Sequence, residues 1–121
     1  MRRALFGFTI ALMLPAAAVA QGGGNQVALA TYQGSSYDIA ANCLMKQMSS
    51  GRIAAWPLVY APPRTEAVVN LWPRGRETGA PVGVFHVRQD ETGTVTISFD
   101  ETQGGRLAPL ARAAAQRCAK R

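Results

Sequence analysis

Hydrophobic residues recur along this chain with two different periods. Tyr37, Ala41, Leu44 and Met48 fall at steps of four, three and four, which puts them on one stripe of a helix over about Ser36 to Ser49. Ser35 and Ser36 are candidate caps, Asp38 suits the positive first turn, and Gly51 lies just past the end. A second stripe, Leu107, Leu110, Ala111, Ala114 and Cys118, predicts a helix from about Arg106 to Lys120 with Pro109 in its first turn. Arg112, Arg117, Lys120 and Arg121 gather toward its C-terminal end, where cations complement the helix dipole.

Between the helices the period shortens to two. Arg52 to Tyr60, Thr65 to Trp72, Pro81 to Gln89 and Thr94 to Phe99 read as strands, separated by Ala61-Pro62-Pro63-Arg64, Pro73-Arg74-Gly75-Arg76 and Asp90-Glu91-Thr92-Gly93. Short strands joined by proline and glycine turns predict an antiparallel meander. Pro57 marks the first strand as an edge or a bulged one. That strand is apolar on both sides, with Ile53, Ala55 and Val59 against Ala54, Trp56, Leu58 and Tyr60, so its outer side must be covered or sticky.

The last hairpin has a defined register. A type I turn closed by a left-handed glycine makes Glu91-Thr92-Gly93 a three-residue loop and sets Asp90 opposite Thr94. Continuing the ladder pairs Arg88 with Thr96, Val87 with Ile97, His86 with Ser98 and Phe85 with Phe99. One face then carries Phe85, Val87, Val95, Ile97 and Phe99, and a one-residue slip would mix them with the polar set. The expected architecture is helix, four-stranded antiparallel meander, helix: a two-layer α+β sandwich with both helices on one sheet face. Residues 35–121 form this domain, and residues 21–34 precede it as a flexible tail in which Val27 to Tyr32 is a short strand or an extended lead-in.

The N-terminal pattern is different again. Met1-Arg2-Arg3 is positive, Ala4 to Leu14 is apolar apart from Gly7 and Thr9, and Pro15 ends the run before Ala18-Val19-Ala20. These are the three parts of a secretory signal peptide over residues 1–20, cleaved after Ala20. The run is too short for a membrane span of about 20 residues, so no transmembrane anchor is expected. No cysteine stands at the cleavage point, which excludes the lipoprotein variant, and Arg2-Arg3 lacks the polar neighbour of a twin-arginine signal.

Export changes the meaning of Cys43 and Cys118. Two cysteines in an oxidising compartment favour one bridge, and both border the apolar stripe of a helix, as two helices stapled side by side require. Closing a loop of about 75 residues stabilises a fold by about 4 kcal/mol in the chain-entropy account. A metal site is disfavoured because only His86 is left to join the two sulfurs. Losing Arg2 and Arg3 takes the basic residues from 13 to 11 against 7 acids, a net +4 with no long basic run. That charge suits weak contact with anionic surfaces.

Candidate chemistry is sparse. No phosphate loop, dinucleotide fingerprint or demanding carboxylate pair occurs, and no cofactor is implied. His86, Ser98 and Asp100 supply a base, a nucleophile and an acid on one sheet face, but nothing beside Ser98 resembles a nucleophile elbow. Trp72 lies near Trp56 and Tyr60 along the chain and close to Arg64, Arg74 and Arg76, residue types that concentrate at interfaces. The plainer reading puts one tryptophan in the core and lays arginine stems over apolar edges. The binding residues expected on the open face and its adjoining loop are Trp72, His86, Arg88, Asn70, Arg74 and Arg76. The functional expectation is a small exported, non-enzymatic domain, periplasmic or secreted, that binds a protein or envelope component through its open sheet face. A small hydrolase using His86 and Ser98 is the alternative. Nucleic acid is disfavoured as a partner outside the cytoplasm, and a homodimer through the edge strand or open face is a further candidate.

Overall fold

Among the described residues, five strands and two helices follow the order the hydrophobic periods predict, with one strand added at the start. The computed structural model describes residues 26–102 and 105–119; the expectations for the signal peptide, for Gln21 to Asn25 and for Lys120 and Arg121 lie outside that range. The elements are β1 (Val27–Gln33), α1 (Tyr37–Met48), β2 (Ile53–Val59), β3 (Glu66–Pro73), β4 (Gly83–Gln89), β5 (Thr94–Glu101) and α2 (Ala108–Ala119). The sheet is wholly antiparallel in the order β1-β5-β4-β3-β2.

The fifth strand corrects the four-stranded expectation. Val27–Gln33 pairs with β5, and its register shifts between Ala28 and Ala30, which leaves Leu29 as the extra residue of a bulge. The bulge lets Leu29 and Ala30 both pack against the core. Such a break hides the strand from any search for strict alternation.

Both helices lie on one face. α1 packs on β2, β3 and β4, and α2 packs on β1 and β5. Tyr37, Ala41, Leu44 and Met48 are buried as their spacing predicts, joined by Ala40. α2 departs from its predicted stripe: Ala111, Ala114, Ala115 and Cys118 are buried, while Leu110 is 55% exposed. The helices meet through small side chains, and the Cys43–Cys118 disulfide joins them with Cα atoms 5.7 Å apart. A Glu101 oxygen accepts the Leu107 N–H at 2.7 Å, tying the end of β5 to the start of α2.

The β4–β5 hairpin has the predicted register, with Phe85 opposite Phe99, Val87 opposite Ile97, His86 opposite Ser98 and Arg88 opposite Thr96. Gly93 takes φ 88°, the left-handed conformation that the three-residue loop requires. The Asp90 carboxylate accepts from the N–H groups of Thr92 and Thr94 and from the Thr92 hydroxyl, which fixes the turn. The buried cluster runs from α1 through Val69, Leu71, Phe85, Val87, Val95 and Ile97 to α2.

Candidate functional site

The sheet face turned away from the helices is built in cross-strand rows by the register. One row reads Thr31, Thr96, Arg88, Glu66; the next reads Ala28, Ser98, His86, Val68, Leu58. A third reads Asp100, Val84, Asn70, Trp56, and the last pairs Trp72 with Ala54. The buried partners Ala67, Val69 and Leu71 alternate with these along β3, so Asn70 and Trp72 do share the face of His86 and Arg88. The predicted residues nevertheless fall into two groups. Arg88 stands opposite Glu66, and Trp72 lies six residues further along β3, about 20 Å away by strand rise.

The polar group is His86, Arg88, Thr96 and Ser98, which with Gln26 line a hollow of about 230 Å³. Partial burial, followed by the Arg88 charge, holds the His86 imidazole below its ordinary pKa of 6.5, against the opposing pull of Asp100 and Glu66. Burial and Arg88 thus favour the neutral imidazole. Ser98 stands directly across from it, whereas Asp100 pairs with Val84 and is diagonal. Among the described residues no hydrogen bond joins His86 to Ser98 or Asp100. A base needs that reach to activate a nucleophile.

The aromatic group sits at the other end of the face. Trp56 meets Trp72 edge to face with ring centroids 6.0 Å apart, and the Trp72 indole N–H donates to the Gly79 carbonyl at 3.1 Å. Neither tryptophan is a core residue, and Trp56 is 58% exposed. The arginines expected near them divide by role. Arg74 donates to the carbonyls of Ser50 and Ile53 at 2.7 and 3.0 Å, so it pins the turn that feeds β2. Arg64 lies 3.8 Å over the Tyr60 ring and pairs with Glu66 at 3.0 Å. Arg76 is exposed in the loop after β3, and Arg52 is exposed at the start of β2.

Sequence reasoning passed over Arg52, Val68 and Val84 as members of this surface. The signal was present for the valines, since the phase that puts Asn70 and His86 outward also puts Val68 and Val84 there. β2 is an edge strand, as Pro57 predicts, and its outer side is not covered by any described element. No family model matches the chain, and no curated protein or solved structure is significantly similar to it.

Proposed function

We propose that this chain is a small exported binding domain, periplasmic or secreted, that holds a protein or envelope component on the aromatic end of its open sheet face and on β2. The observation that carries the reading is the exposure of Trp56 and Leu58, at 58% and 51%, on the open side of an edge strand whose outer edge pairs with no described strand. Scattered apolar residues need no explanation, but two on one side of an edge strand, beside a second tryptophan, form a patch. Trp is also the residue type most enriched where binding energy concentrates. Export is supported by the signal-peptide pattern of residues 1–20 and by the disulfide, which suits an oxidising compartment. Among the described residues no helix is long and apolar enough to cross a membrane.

The test is site-specific photo-crosslinking in the exporting cell, with benzoylphenylalanine replacing Trp56 or Trp72 and a control at Gln116 on the outer side of α2. Discrete adducts from positions 56 and 72, with none from 116, are the expected outcome. Equal labelling from all three positions would mean that the patch holds nothing specific. The hydrolase reading keeps one supporting observation, His86 paired with Ser98 at the hollow that both line. Turnover of an activated ester that is abolished by both His86→Ala and Ser98→Ala would favour it.

A further inference from the structure

We infer that the free edge of β2 is a strand-addition site for an extended peptide that runs antiparallel to β2 and carries its negative charge at its C-terminal end. The inference rests on the binding reading above and names the class of partner. It follows from the backbone. Arg74 N–H donates to the Arg52 carbonyl and Tyr60 N–H to the Glu66 carbonyl, so the even-numbered residues from 52 to 60 bond β3. The backbone groups of Ile53, Ala55, Pro57 and Val59 therefore face away from the sheet. Those of Ile53 are taken: its N–H reaches the Ser50 hydroxyl, and its carbonyl accepts from the Ser50 N–H and from Arg74. Two donors remain, the N–H groups of Ala55 and Val59, with three acceptors, the carbonyls of Ala55, Pro57 and Val59.

That array is what an added strand pairs with. Trp56 and Leu58 flank it on the open face, at positions where a neighbouring strand's side chains approach most closely, so apolar residues fit opposite them. Charge sets the direction. Arg52, Arg74 and Arg76 gather at the Ile53 end, while the one acid in that loop, Glu77, turns inward to accept from the Gly75 N–H. An antiparallel peptide brings its C-terminal end to those arginines. A second copy of this chain fits less well. Its antiparallel β2 would bring the Pro62-Pro63-Arg64 turn against the arginine cluster, and a two-fold register centred on Pro57 would oppose two residues that lack donors.

The experiment selects binders to the full mature protein from a library of random peptides with free C-termini, long enough to span β2. Selected peptides are expected to alternate β-branched or aromatic residues and to end in Asp, Glu or an acidic C-terminus. A synthetic representative should slow hydrogen exchange at the amides of Ala55 and Val59. Val59→Pro, which removes one of the two donors, should weaken that peptide about fivefold, and Pro57→Val, which adds a third, should tighten it by about the same factor. Arg52→Glu combined with Arg76→Glu should weaken it about tenfold, and raised salt should reduce the difference. Failure to enrich any peptide, or enrichment of peptides that leave the Ala55 and Val59 amides unprotected, overturns strand addition. Slowed exchange at those amides without peptide, in a protein that sediments as a dimer, assigns the edge to a second copy and overturns it too. In any of these cases discrete crosslinks from position 72 would leave the broader binding reading standing.

Discussion

Phe85 and Phe99 face each other across the β4–β5 ladder with ring centroids 4.7 Å apart, while the next pair along, His86 and Ser98, points to the opposite side of the sheet. The two pairs make the register testable by stability alone. Phe85→Ala, Ile97→Ala and Phe99→Ala each leave a cavity and should cost about 2–5 kcal/mol. His86→Ala and Ser98→Ala should stay within about 0.5 kcal/mol. Urea melts of the five variants check this, and a large loss for His86→Ala with none for Ile97→Ala would contradict the facing.

The hairpin was legible because two independent signals, the apolar alternation and the glycine that closes the turn, agree on one register. Both helices were legible from the spacing of Tyr37, Leu44 and Met48 and of Ala111, Ala114 and Cys118. β1 was legible only in part: Val27 to Tyr32 read as a short strand or an extended lead-in but was left out of the sheet, because the bulge at Leu29 shifts its phase in the middle of the strand. Leu110 was assigned to the buried stripe of α2 on hydrophobicity. The close approach of two helices joined by a disulfide instead favours alanines at the contact and leaves the bulkier leucine outside. Trp56 stayed open between core and surface because β2 is apolar on both sides. Its small side, with Ala55, went under α1. The structural role of Arg74 was not legible, because nothing local shows that its guanidinium reaches carbonyls more than twenty positions back.

The Cys43–Cys118 bridge closes a loop across 75 positions. The chain-entropy account values such a constraint at about 4 kcal/mol, a large fraction of what a small domain commands. Reduction, or the paired change to serine, should therefore lower the urea midpoint and steepen the slope, because the released chain exposes more surface when it unfolds. Alkylation of protein isolated without reductant should label neither cysteine. Two freely alkylated thiols would remove the staple from the account.

His86 gives the fold a defined pH response. Burial and Arg88 depress its folded-state pKa below 6.5, so the unfolded chain binds the proton more readily. Its contribution is thus fully present above the unfolded pKa and is lost as pH falls from about 6.5 toward the lower folded value. NMR titration of the imidazole should show a midpoint below 6.5, raised by Arg88→Ala and lowered further by Asp100→Asn. His86→Gln should flatten the stability profile across that window. A midpoint at or above 6.5 in the wild type would show that the acids outweigh burial and the arginine.

Gly83 opens β4 at the point where the Phe99 ring needs room. A Cβ at this position would stand 2.8 Å from Phe99 Cζ and 3.4 Å from Leu107 Cδ1, and Phe99 is itself only 5% exposed. The ring has little freedom to retreat, since it is buried in the core with its centroid 4.7 Å from that of Phe85. Gly83→Ala should therefore cost about 1–3 kcal/mol through overpacking, despite the better strand propensity of alanine. The cause is distinguishable from a simple backbone effect. Phe99→Leu removes the ring atom that collides, so its own cavity cost and the overpacking cost should partly cancel in the double variant. A double-mutant cycle by urea denaturation should give the pair a smaller loss than the sum of the singles. Strict additivity would place the cost of Gly83→Ala in the backbone rather than in contact with Phe99.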